Sequence, residues 1–185
     1  MDSCDCKSSD IHDYNCYFTN NCTFNTNHSL SSKTLLNCKN GSGIDIPIPS
    51  FINPTFNPIP IVNTKLDTIC LCNPNVKINF SSIIHYKVIS PNIVLNNPFI
   101  ITFQLSKICN NTSKIILSTF DYAYGSIVTT DIRESFNFNY CEYNICPTCS
   151  VYLVEIIRVT GIDPVAAFEE ASITNSFISV NAISN

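Results

Sequence analysis

The amino-acid sequence predicts an all-β protein: a two-sheet antiparallel β-sandwich, jelly-roll-like, led by an extended cysteine-bearing N-terminal arm. Three observations carry that expectation. Short runs of β-branched and aromatic residues alternate with polar ones between clusters of turn residues, the pattern of half-buried strands. Only one short stretch reads as helix, so the crossovers that an α/β fold requires are missing. A chain of 185 residues that is 45% hydrophobic is long and apolar enough to build one sandwich core.

Residues 1–30 carry Cys4, Cys6, Cys16 and Cys22 among Asn, Asp, Ser and Thr, with few large apolar side chains. Such a segment cannot bury enough surface to offset its ordering entropy. It reads as an arm or connector, and residues 31–185 read as the sandwich domain.

The elements of the domain follow in order. Leu35-Leu36-Asn37-Cys38 leads to a turn at Gly41-Ser42-Gly43. Ile44, Ile46 and Ile48 then alternate with Asp45, Pro47 and Pro49. Together with Pro54, Pro58 and Pro60, these prolines remove ladder donors and confine the stretch to an edge strand or a covering loop. Residues 61–69 form a strand. Val76, Ile78 and Phe80 alternate with Lys77 and Asn79, and 83–89 form a further strand closed by Ser90-Pro91. Phe99, Ile101, Phe103 and Leu105 line one face of the next strand, opposite Thr102 and Gln104. After the turn at Asn110-Asn111-Thr112, residues 113–120 resume a strand, and Tyr122-Ala123-Tyr124-Gly125 reads as a turn on the sandwich rim. Phe136, Phe138 and Tyr140 alternate with Ser135, Asn137 and Asn139. Residues 151–159 are apolar on both faces, which predicts the centre of a sheet. Asp163-Pro164 suits the start of one short helix to Glu170, and 172–183 form the last strand.

Charge and composition exclude several functions. Lys plus Arg number 10 against 14 Asp plus Glu, a net charge of -4, so there is no basic footprint for nucleic acid. No apolar run is long enough to span a bilayer, so no membrane partner is expected. The polar, acidic start Met1-Asp2-Ser3-Cys4-Asp5-Cys6-Lys7 does not read as a signal peptide. His12, His28 and His85 are scattered, 4 glycines build no phosphate loop, and Asp121, Asp131, Glu134, Glu142 and Glu155 define no acid/base pair. The expectation is a protein that is not an enzyme and carries no cofactor or metal.

The cysteines carry the functional signal. Eleven are present, and the seven outside the arm are Cys38, Cys70, Cys72, Cys109, Cys141, Cys146 and Cys149. Both numbers are odd, so at least one thiol stays unbonded, binds something, or crosses to another chain. High cysteine density argues for an oxidising destination, reached by unusual export or by lysis of the producing cell. The arm thiols are candidates for intermolecular cross-links; the seven others are core disulfide partners or cross-link acceptors. Two rival readings exist. Cys146-x-x-Cys149 with Cys70-x-Cys72 or Cys141 could supply four thiolates to zinc, although only one knuckle has the usual spacing. Cys146-Pro147-Thr148-Cys149 could be a redox dithiol. That chemistry needs a lowered thiolate pKa, normally from a helix N-terminus, and a strand follows here.

Asp67-Thr68-Ile69-Cys70-Leu71-Cys72-Asn73-Pro74, Phe103-Gln104-Leu105, Cys109-Asn110-Asn111, Phe136-Asn137-Phe138-Asn139-Tyr140-Cys141-Glu142, Cys146-Pro147-Thr148-Cys149 and Tyr152-Leu153-Val154-Glu155-Ile156 together resemble a clostridial domain-of-unknown-function family, the one numbered 4489. The resemblance covers roughly residues 34–185. That family often carries a second cysteine directly after the equivalent of Cys149, where this chain has Ser150. In architecture the chain is also distantly similar to the jelly-roll subunits of endospore appendages, pilus-like fibres whose connectors bond covalently to earlier subunits. This likeness implies a structural, self-assembling spore-surface or appendage subunit, with Cys4 and Cys6 as connector thiols. It would be made in the mother-cell cytoplasm and exposed after lysis. The implied partners are further copies in a homo-oligomer or polymer, together with other spore-surface proteins. The alternative is a monomeric, cysteine-stabilised β-sandwich that binds carbohydrate or protein.

Overall fold

The computed structural model describes residues 34–47, 56–69, 71, 73–89, 98–109, 113–125, 129–143, 145, 148–161 and 168–184. The expected arm, with Cys4, Cys6, Cys16 and Cys22, lies outside them, as do Cys70, Cys72 and Cys146. Nine strands occur among the described residues: β1 (Thr34–Gly41), β2 (Ile44–Ile46), β3 (Ile59–Asp67), β4 (Asn75–Ile89), β5 (Phe99–Cys109), β6 (Lys114–Tyr124), β7 (Thr130–Glu142), β8 (Cys149–Thr160) and β9 (Phe168–Ile183).

The pairing is a set of nested antiparallel hairpins. β5 pairs with β6, β4 with β7, β3 with β8, and β1 and β2 with β9. Folding this ribbon over also lays β4 beside β9 and β5 beside β8. One sheet therefore runs β1-β9-β4-β7, with β2 continuing the line of β1 along β9; the other runs β3-β8-β5-β6. This is the order of a jelly roll, two Greek keys wrapped into a sandwich.

Alternation explains which side faces in. In β4, Val76, Ile78, Phe80, Ile84, Tyr86 and Val88 are all buried, whereas Lys77, Ser81 and Ile83 face solvent. Aromatic rings fasten the two layers: Phe138 stacks on Phe120 at 3.9 Å, Phe136 on Phe103 at 4.7 Å, and Tyr86 on Phe99 at 4.0 Å. Each such pair adds about 0.5–1.5 kcal/mol beyond its buried area. β8, expected at a sheet centre, lies between β3 and β5, with Tyr152, Val154 and Ile156 fully buried. Pro60 stands where the β3–β8 register shifts, on an edge strand, as its missing donor requires.

Three local expectations change. Two strands expected on either side of Ser81-Ser82 are one continuous β4, in which Ser82 takes a buried inner position. Phe168, Glu169 and Glu170, expected to end a helix, begin β9, because pairing with Ile89, Val88 and Lys87 satisfies their backbone; residues 163–167 lie outside the described residues. Tyr122 and Tyr124, expected on a turn, belong to β6, where Tyr122 is buried and Tyr124 packs edge-on to Tyr86.

Candidate functional site: thiols on the sandwich

Several strand ends converge at one end of the sandwich. Asp67, the last residue of β3, pairs with Cys149, the first of β8, and Cys109, the last of β5, pairs with Ser150. The loops beyond are tied together. Thr68 N–H donates to Thr148 O at 2.9 Å, Thr148 N–H donates to Thr68 Oγ1 at 3.1 Å, and Ile145 N–H donates to Pro74 O at 3.2 Å. Asn73, at φ 44°, takes the left-handed turn into β4 that asparagine tolerates. Leu71, Ile145 and Thr148, sequence neighbours of Cys70, Cys72 and Cys146, belong to this end. Cys149 is buried, and Cys109 is half-buried with its Sγ 3.6 Å from Ser150 Oγ.

Beneath these thiols lies a polar cluster that joins the sheets. Lys107 of β5 donates to Glu142 of β7 at 2.5 Å, and Tyr152 OH of β8 donates to the other carboxylate oxygen at 2.8 Å. Both charged side chains are only 11% exposed. Burial, reinforced by the negative charge of Glu142, raises the Tyr152 pKa well above the ordinary tyrosine value. Tyr122 OH makes a second inter-sheet bond of this kind, to Glu134 at 3.0 Å.

Cys38 and Cys141 stand apart from the buried thiols. Both are free and exposed. Cys38 on β1 shares its row with Ser179 of β9, Asn79 of β4 and Asn139 of β7; Cys141 on β7 shares the adjacent row with Lys77, Asn181 and Leu36. Both rows lie on the outer face of the five-stranded sheet. The two thiols occupy its opposite edges, separated by three strand spacings or about 14 Å. A disulfide needs Cα atoms within about 7 Å, so Cys38 and Cys141 cannot bond to each other within one chain.

The same outer face changes character along its length. Near the thiols it carries Leu36, Phe177 and Ile183 among Asn and Ser, with Leu36 67% exposed. At the other end Asp45, Ser172, His85 and Arg133 form one row, and Glu170, Lys87 and Asp131 the next. His85 Nε2 lies 2.9 Å from Asp131 Oδ1, and this bond holds the Asp131 carboxyl below its ordinary value. A shallow open depression of about 550 Å³ beside them is lined by Asp45, His85, Glu169 and Ser172.

The structure thus separates the sequence-nominated cysteines by environment. Cys38 and Cys141 are exposed, Cys109 and Cys149 are embedded, and the remaining candidates lie outside the described residues. Among the described residues, no group of three or more His, Cys, Asp or Glu is arranged to hold a metal ion. Cys149 opens a strand, as the reading against a redox dithiol expects. Sequence reasoning missed the cluster of Lys107, Glu142 and Tyr152. Its one signal was a lysine inside the otherwise uncharged run from Phe99 to Cys109.

The domain of unknown function DUF4489 matches residues 32–183, which include every described strand. The chain belongs to that family. No curated protein matches it. Among solved structures, the DUF4489 domain is similar to infectious bursal disease virus, Gx strain, with 9% identity over 80% of this chain and a TM-score of 0.48. It is also similar to the infectious bursal disease virus VP2 subviral particle, with 11% identity over 82% of this chain and a TM-score of 0.46. The chain spans about a third of the length of these structures, 32% and 37% respectively.

Proposed function

We propose that this DUF4489 protein is a structural subunit that assembles with further copies of itself, joined by its N-terminal arm and by disulfides between chains, on a spore surface or in an endospore appendage fibre. The observation that carries the reading is the pair of exposed thiols, Cys38 and Cys141, on one face but too far apart to bond each other. An odd total of eleven cysteines adds to it, since complete pairing within one chain is impossible. The arm contributes four more thiols on a leader whose reach, at about 3.3 Å per extended residue, is enough to meet a neighbouring sandwich. Placement on a spore rests on the architectural likeness to appendage subunits and on cysteine usage suited to an oxidising exterior.

The test is mass mapping of cysteine pairs in native material, with non-reducing and reducing gels run alongside. The reading expects ladders that collapse to 20.6 kDa with reductant, and bonds linking Cys4, Cys6, Cys16 or Cys22 to cysteines of another chain. Deleting residues 1–30 is expected to abolish the ladder and leave the sandwich folded. Native material that is monomeric, or a truncated chain that polymerises normally, overturns the reading in favour of a free-standing binding module.

A further inference from the structure

The outer face of the five-stranded sheet is polarised across its width as well as along its length. At its charged end, the β2/β9 side presents Asp45 and Glu170, whereas the β4/β7 side presents His85, Lys87 and Arg133 around Asp131. Asp45, Glu170 and Arg133 are exposed. The other end is mostly apolar and amide-rich, with Leu36, Phe177 and Ile183 at the surface beside the exposed Lys77. A face with this layout complements itself in one orientation. A two-fold axis parallel to the strands lays the β2/β9 side of one copy over the β4/β7 side of the other, so Asp45 meets Arg133 twice. An in-plane axis across the strands would instead lay the charged end of one copy over the apolar end of the other and leave these charges without partners.

We propose that this outer face is an interface with a second copy of the chain, built around a two-fold axis parallel to the strands. The proposal rests on the self-assembling reading only in naming a second copy as occupant. The same axis has an independent consequence at the thiol end: it lays β1, with Cys38, over the partner's β7 edge, two residues along from Cys141. Isologous contacts of this type are the commonest in homo-oligomers because one patch serves both sides. Opposite charges fix the orientation while Leu36, Phe177 and Ile183 supply apolar area.

The experiment uses the full chain held reduced, so that arm disulfides cannot contribute, and follows its association by sedimentation. Asp45→Arg and Arg133→Asp are each expected to raise the dissociation constant about tenfold, and the double variant to recover most of the loss. Circular dichroism confirms that these exposed positions leave the fold intact. A short bismaleimide spanning less than three strand spacings is expected to link Cys38 of one chain to Cys141 of another. A reduced chain that stays monomeric, single variants without effect, a double variant without recovery, or Cys38–Cys38 linkage each overturns the interface. If these fail while arm deletion still abolishes disulfide ladders, the subunit reading stands and only this face is wrong.

Discussion

Lys107 and Glu142 show how one buried pair constrains its neighbours. Glu142 accepts from both Lys107 and Tyr152, so its replacement strands an ammonium and a phenol in the core. Glu142→Ala is expected to cost about 3–5 kcal/mol in denaturant unfolding, because the remaining charge has no counterpart. Tyr152→Phe removes only one hydrogen bond and should cost about 1–2 kcal/mol. The tyrosines also set an alkaline limit. Burial raises the pKa of Tyr122 and of Tyr152, so the fold favours their neutral forms. Their contribution is complete below the unfolded tyrosine pKa of about 10 and is lost as pH rises beyond it. Thermal melts should therefore hold steady up to about pH 9 and fall above about pH 10, and a Tyr122→Phe/Tyr152→Phe double variant should fall less steeply.

At the scale of the element, two glycines are fixed by close approach. Gly161 follows β8 at φ +80°, and a side chain there would meet Pro98 O and lie 2.8 Å from Phe99 Cα. Gly161→Ala combines left-handed backbone with a clash and should lower stability by more than about 1 kcal/mol in urea titration. A Cβ at Gly41 would lie 2.7 Å from Ile61 O, against the backbone of β3. The elements were legible wherever apolar and polar residues alternated, as in β5 and the central part of β7, or where both faces were apolar, as in β8. They were misread where composition broke the pattern. Ser81-Ser82 looks like a gap, yet β4 runs through it because both neighbouring strands supply backbone partners. Glu169 and Glu170 look like a helix end until their pairing with β4 is known. The inter-sheet bonds were illegible for a related reason: Tyr152 and Glu142, or Tyr122 and Glu134, meet only after two sheets stack. Cysteine parity could be read directly; which thiols face water could not, since that depends on strand register.

For the whole molecule, the proposed joining through surface thiols is separable from folding by exposure. Cys38 and Cys141 lie on the surface, so Cys38→Ser and Cys141→Ser should each shift unfolding by less than about 0.5 kcal/mol. The same substitutions are expected to remove specific bands from non-reducing gels of native material, which gel densitometry can follow band by band. A variant that destabilises the isolated sandwich would instead mark these thiols as parts of the core. The contrast with Glu142→Ala is the useful one, because it distinguishes loss of assembly from loss of fold.

The first described strand forms its backbone ladder with the last: Thr34 pairs with Ile183 and Leu35 with Ala182. On a ribosome, therefore, β1 emerges without its ladder partner until β9 has been made. Contacts between such distant parts of a sequence close slowly and leave strand edges open in the meantime. A chain carrying eleven thiols in that state is vulnerable to premature oxidation, so refolding under reducing conditions is expected to return more native sandwich than refolding under oxidising ones.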